Sequence, residues 1–259
     1  TEMADTDFWR ERLPISGELL RVDIDPRKFN DFYPCAIALH GDARQTLAGL
    51  LEHLPALDRD PAQASEAVAN LRQAIRSGHA PLQAVHQAIL DRIAAVLPDD
   101  AFVSSDMTQL AYTGNYAFAS RAPRSWLHPT GYGTLGYGLP AGIGGMFASD
   151  HRPGLVLVGD GGFLYTAQEL ATAVEELDRP LVVLLWNNDA LGQIRDDMLG
   201  LDIEPVGVLP RNPDFIGLAR AFGCTVRQPR DLDALQADLA SGFATPGVTF
   251  IELKHTCVC

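Results

Sequence analysis

The chain has 259 residues, 47% of them apolar, a formal net charge of −13 and four cysteines. That length suffices for a real core, while no apolar run approaches the roughly 18 residues of a membrane span and the acidic balance disfavours nucleic acid as a partner. Cys35, Cys224, Cys257 and Cys259 form no disulfide framework, and Cys257-Val-Cys259 lacks zinc-ligand spacing, so free thiols in a reducing cytoplasm are expected.

In chain order, residues 18–25 alternate into a strand that stops at Asp25-Pro26, and residues 36–40 form a second. Gly41-Asp42 then opens an amphipathic helix with Leu47, Leu50, Leu51 and Leu54 facing inward. Residues 1–54 read as the closing piece of a parallel α/β domain, and residues 55–80, rich in Pro, Asp, Ala and Gln, as a linker with a helical middle. The last domain, 81–259, alternates strand and helix. Its helices are expected at 81–97, from about Leu139, at 166–177, 213–222 and 231–241. Its strands are expected at 102–104, 155–158, 181–186, 224–227 and 248–253. This order predicts a doubly wound parallel sheet, with ligands bound beyond the carboxyl ends of its strands.

Two strand ends carry chemistry. Leu155-Val-Leu-Val runs into Gly159-Asp160-Gly161-Gly162, and Leu181-Val-Val-Leu-Leu-Trp runs into Asn187-Asn188-Asp189. The chain between them is long enough for one crossover helix, so an acid and an amide arrive side by side at one sheet edge. Mg²⁺ takes oxygen ligands in near-octahedral array, usually one or two carboxylates plus phosphate oxygens and water. Asp160 offers a carboxylate, Asn188 an amide oxygen and Ala190 a backbone carbonyl. Gly161 and Gly162 can bring their N–H groups to a diphosphate. Taken singly, each motif is an ordinary turn or helix cap; the pair at this spacing is not.

Gly159-Asp160-Gly161 followed by Asn187-Asn188 resembles the cofactor motif of thiamine-diphosphate enzymes. Gly131-Tyr-Gly-Thr-Leu-Gly-Tyr-Gly-Leu-Pro-Ala-Gly-Ile-Gly144 resembles the matching segment of the acetolactate synthase and 2-oxo-acid decarboxylase branch. The resemblance covers about Pro81 to Glu252. It implies a thiamine-diphosphate-binding fold preceded by the remnant of a Rossmann-like central domain. It also implies Mg²⁺ bound by Asp160, Asn188 and the Ala190 carbonyl, with Gly161, Gly162, Gly192, Thr108 and Gln109 around the diphosphate. The Gly133 carbonyl and Leu135 N–H would hold the aminopyrimidine, and the Leu135 side chain would bend the cofactor. Gln193, Ile194 and Asp197 would face the substrate.

The family's activating glutamate comes from the pyrimidine-binding domain of a neighbouring subunit, and no part of this chain matches that domain. The implied partners are therefore a small 2-oxo acid and a second subunit, in a homodimer or homotetramer, and this chain alone is expected to be inactive. Thr1-Glu-Met-Ala-Asp-Thr-Asp-Phe8 and residues 187–195 are most similar to decarboxylases of 5-guanidino-2-oxopentanoate. A guanidinium would suit Asp189, Asp196, Asp197, Asp202 or Glu204, against the alternative of a solvated acidic face. Acetolactate-type carboligation and a non-catalytic cofactor-binding module are the competing readings. His128 and His255 are read as packed or surface residues in preference to proton carriers. Gly131-x-Gly133-x-x-Gly136 also fits a dinucleotide pattern, but Pro129 precedes it where a strand should, and Val156 stands where an acid should.

Overall fold

The computed structural model describes residues 15–30, 33–55, 60–149 and 152–258. The Thr1–Phe8 segment and Cys259 lie outside the described residues. The chain divides into two units, Thr1–Asn70 and Leu71–Cys259.

In the first unit, β1 (Leu20–Asp23) and β2 (Ile37–His40) pair in parallel, with Leu20 opposite Ile37 and Asp23 opposite His40. Helix α1 (Ala43–His53) starts where the Asp42 carboxylate accepts the Gln45 N–H at 3.0 Å, which satisfies one of the donors a helix start leaves open. The leucines of α1 depart from expectation. Leu47, Leu51 and Leu54 are 55%, 73% and 55% exposed, and Leu50 is half-buried. A sheet of two strands is too narrow to cover an apolar helix face. Helix α2 (Pro61–Ser77) fills most of the segment expected as a linker, buries no residue, and contains the boundary between the units.

The second unit opens with α3 (Pro81–Val96), its Ala80 N–H held by Gln83 Oε1 at 2.9 Å. There follow β3 (Phe102–Ser105), α4 (Gln109–Ala117), β4 (Trp126–Leu127), α5 (Gly138–Ala148), β5 (Gly154–Gly159) and the single turn α6 (Asp160–Phe163). After α7 (Glu169–Glu176) come β6 (Leu181–Asn187), α8 (Gly192–Gly200), α9 (Phe215–Ala221), β7 (Thr225–Arg227), α10 (Leu232–Phe243) and β8 (Val248–Lys254). The helix expected from residue 166 begins at Glu169, because Thr166 and Tyr165 are tied back into turns with Phe163 and Gly162.

The six strands of this unit lie in the order β4-β3-β5-β6-β8-β7, all parallel. Alternate residues face opposite layers. Val156, Val158, Val183 and Leu185 pack with α5, α7 and α9, while Leu155, Leu157, Val182, Leu184 and Trp186 pack with α3, α4 and α10. Both faces are covered, which is why these strands read as unbroken apolar runs. The small residues of α5 set its distance from the sheet: a Cβ on Gly142 would lie 2.4 Å from Val156 Cγ2, and one on Gly145 2.6 Å from the Phe102 ring.

His86 on α3 is buried edge-on against Trp186, ring centroids 5.5 Å apart, and shares a 2.9 Å hydrogen bond with Thr113 Oγ1. Burial lowers its pKa from 6.5 to about 4. The folded protein therefore holds it neutral while the unfolded chain protonates. The stability this contributes, about 3 kcal/mol at most, is complete above pH 6.5 and is lost as pH falls through about 4. His86→Gln should flatten that acid-side decline when urea stability is measured across this window.

Candidate functional site

Reading the sheet from β3, the chain passes to β4 on one side and then returns to β5 on the other. The connections leaving β3 and β5 diverge, and the crevice between them is where doubly wound sheets bind ligands. The carboxyl ends of β3, β5 and β6 deliver Asp106, Asp160 and Asn187 to this place.

Asp160 is buried at the first position of α6. Its Oδ1 accepts the Gly161 N–H at 3.0 Å, and its Oδ2 accepts from Asn212 Nδ2 at 2.8 Å. Burial raises its pKa, and the bonds from Asn212, Gly161 and the Ala190 N–H offset part of the rise. Asn188 folds back so that its Oδ1 accepts the Ala190 N–H at 3.2 Å while its Nδ2 donates to Gln109 Oε1 at 3.2 Å. Asp189 between them takes the left-handed conformation, φ 54°. The β6–α8 turn thus brings Asp160, Asn188 and Ala190 together.

The donor set suits Mg²⁺. A carboxylate, an amide oxygen and a carbonyl are hard ligands that leave positions for phosphate oxygens and water. A buried carboxylate whose pKa burial has raised gains from a cation beside it. Among the described residues no group of three or more His, Cys, Asp or Glu could hold a metal. Beside it, close approaches keep the floor bare. A Cβ on Gly192 would lie 2.6 Å from Asn188 Nδ2 and 2.7 Å from Gln109 Oε1; one on Gly161 would lie 2.5 Å from Leu191. Thr108, buried, caps α4 and lies against Gly159, a Cβ on which would be 3.1 Å from its Oγ1.

Asp106 joins this floor to the glycine segment, and the motif reading did not single it out. Its buried carboxylate accepts the N–H groups of Met107 (2.8 Å), Gly136 (2.9 Å) and Gly138 (3.3 Å). It also fills the space a side chain on Gly162 would need, 3.2 Å from such a Cβ. Gly131, Gly133 and Gly136 have φ of 92°, 70° and 83°, values that only glycine adopts without strain. They shape the turn between β4, which the sequence did not announce ahead of Pro129, and α5; Val156 on β5 still stands where a dinucleotide site needs its acid. Leu135 and Gly133 sit in this turn, half-buried.

Residues 106–253 match the family "Thiamine pyrophosphate enzyme, C-terminal TPP binding domain". The chain belongs to the thiamine pyrophosphate enzymes. It is 80% identical over 257 residues to the probable 2-ketoarginine decarboxylase AruI of Pseudomonas aeruginosa, covering 99% of this chain and 46% of that protein. It is 29% identical to the acetolactate synthase isozyme 1 large subunit of Escherichia coli and 30% identical to isozyme 2, covering 92% of this chain and 43% of each. The chain thus spans about half the length of the curated relatives it matches. Thiamine diphosphate with Mg²⁺ is the cofactor of this thiamine pyrophosphate enzyme family.

In this thiamine pyrophosphate enzyme domain, α8 leads away from the cofactor floor. Gln193 Nε2 donates to Asp197 Oδ1 at 2.9 Å, and Ile194 is 48% exposed. Asp196 is engaged by Arg195 at 2.8 Å and by Gln109 Nε2 at 3.0 Å, and Asp189 by Asn212 Nδ2 at 3.1 Å. His128 is not a loose proton carrier: its Nδ1 shares a 2.8 Å bond with Ser105 Oγ and its ring packs edge-on with Tyr112.

Asp106→Ala would leave the buried N–H groups of Gly136 and Gly138 unpaired. It should cost about 2–4 kcal/mol in urea denaturation, whereas Asp106→Asn, which keeps one acceptor, should cost less.

Proposed function

We propose that this chain is the diphosphate- and Mg²⁺-binding part of an enzyme that decarboxylates a 2-oxo acid, with 5-guanidino-2-oxopentanoate as substrate. The observation that carries the reading is the convergence of Asp160, Asn188 and Ala190 beside Gln109 and Gly192, in a chain 80% identical to a probable 2-ketoarginine decarboxylase. Asp160, Asn188 and the Ala190 carbonyl hold the cation. Thr108, Gln109, Gly161, Gly162 and Gly192 line the diphosphate. The Gly133 carbonyl and Leu135 N–H hold the aminopyrimidine, and the Leu135 side chain packs beneath the cofactor. When bound, thiamine diphosphate supplies an electron sink for the pair left behind as carbon dioxide departs.

The substrate end lies on α8. Of the carboxylates Asp189, Asp196, Asp197, Asp202 and Glu204, this reading offers Asp197, exposed on α8 beside Gln193 and Ile194, to a guanidinium. Tyr132, Leu164 and Tyr165 around the glycine turn are 92%, 40% and 65% exposed. An apolar surface beside the cofactor floor suits cover by the pyrimidine-binding domain of a neighbouring subunit in a homodimer or homotetramer, and that domain would bring the activating glutamate. The exposed leucines of α1 suit a central domain that continues beyond residues 1–54, joined through 55–80 to the cofactor domain at 81–259. Free Cys35, Cys224 and Cys257 suit a reducing cytoplasm. Acetolactate-type carboligation is the second reading, favoured by the 29–30% identity to the synthase large subunits.

Calorimetry of thiamine diphosphate should show binding with Mg²⁺ and none with chelator, and Asp160→Ala should abolish it; equal affinity with chelator would refute the cation assignment. In the full-length protein, carbon dioxide release from 5-guanidino-2-oxopentanoate should exceed that from pyruvate at least about tenfold in kcat/KM, the discrimination worth one well-formed ionic contact. Asp197→Asn should erase most of that preference. A preference for pyruvate with acetolactate as product would select the carboligase reading instead.

A further inference from the structure

Asn212 lies in the loop between α8 and α9 and belongs to none of the motifs above. Its Nδ2 reaches three oxygens: Asp160 Oδ2 at 2.8 Å, Asp189 Oδ1 at 3.1 Å and Asn187 Oδ1 at 3.3 Å. An amide nitrogen has two hydrogens, so these oxygens compete for them, and the shortest contact is to Asp160. The Oδ1 of Asn212 is buried with no hydrogen-bond partner among the described residues. The amide is therefore oriented through its Nδ2 contacts alone.

The residue behind it is fixed as well. Asn187 Nδ2 donates to the buried Glu252 Oε1 at 2.7 Å, and the other Glu252 oxygen accepts from Gln228 Nε2 at 2.7 Å. Asn187 Oδ1 also accepts the Asp189 N–H at 3.0 Å, which helps to hold that residue in its left-handed conformation. Hydrogen bonds thus run from Gln228, beyond β7, through Glu252 on β8 and Asn187 on β6 to Asn212 and the carboxylate of Asp160. With Gly161 N–H on one oxygen and Asn212 on the other, Asp160 cannot rotate freely.

We propose that Asn212 is a positioning residue for the cation site, holding Asp160 in the orientation that receives Mg²⁺, with Asn187 and Glu252 fixing Asn212 in turn. This rests on the reading of Asp160 as a Mg²⁺ ligand. Partners behind a metal ligand typically govern metal affinity by about ten- to a hundredfold.

The test is a Mg²⁺ titration of the full-length protein at fixed thiamine diphosphate, with cofactor binding followed by calorimetry. Asn212→Ala should raise the half-saturating Mg²⁺ concentration about 10- to 100-fold, while cofactor affinity at saturating Mg²⁺ stays within about threefold of the unaltered protein. Glu252→Gln, which replaces one acceptor by a donor, should move the Mg²⁺ requirement in the same direction by less. A Mg²⁺ requirement within about twofold of the unaltered protein in both variants would overturn the proposal. So would a loss of cofactor affinity that is equal at every Mg²⁺ concentration, the mark of a merely structural role. If the unaltered protein binds cofactor equally well with chelator, the assignment of Asp160 to Mg²⁺ fails, and the role of Asn212 with it.

Discussion

The site exists because β3 and β5 are neighbours whose connections leave the sheet in opposite directions. A parallel sheet covered on both faces has no other place where a ligand can meet backbone and side chains together. Asp106 follows β3, Asp160 follows β5, Asn187 and Asn188 stand at the end of β6, and Asn212 reaches them from the loop between α8 and α9. The strands behind them, Leu155–Val158 and Leu181–Trp186, are fully buried, so their ends are fixed by close packing and not by the loops.

Two buried carboxylates meet in that crevice, and burial raises the pKa of both. They are compensated differently. Asp106 accepts three backbone N–H groups and fastens the glycine turn to the end of β3. Asp160 has the Gly161 N–H and the Asn212 amide against it at 3.0 and 2.8 Å, with the Ala190 N–H directed at it as well. The first is held by backbone alone and serves as a joint. The second has a side-chain amide among its donors, and under the proposed reading a hard divalent ion is the partner that would offset its burial cost.

The strand runs and their polar ends were legible because alternation and abrupt termination are local signals. The approach of Asp160, after β5, to Asn188 and Ala190, after β6, follows from one crossover's length of chain between neighbouring strands. Asp106 and Asn212 were not legible. Asp106 looks like any acid before a helix, and its value comes from Gly136 and Gly138, brought close only by the fold. Asn212 sits in a loop of ordinary composition and reaches the site only because that loop passes over the ends of β5 and β6. Helix α4 and the two-residue β4 carry too little apolar periodicity to be seen in advance. The leucines of α1 show the converse: their pattern is strongly amphipathic, yet a helix face is buried only where a sheet exists to bury it.

The division of labour along β6 and α8 explains how related chains can share a cofactor floor while acting differently. Asn188, Gly192 and Gln109 are locked together at contacts where even a methyl group would collide. One turn farther on, Ile194 is 48% exposed, and Asp197 touches Gln193 on the same exposed face. A substitution in the first group disturbs close packing, whereas one in the second meets mainly solvent. Selection can therefore alter side chains on α8 at little cost to the fold. Under the proposed reading, that exposed face is where the charge and shape of a substrate would be met.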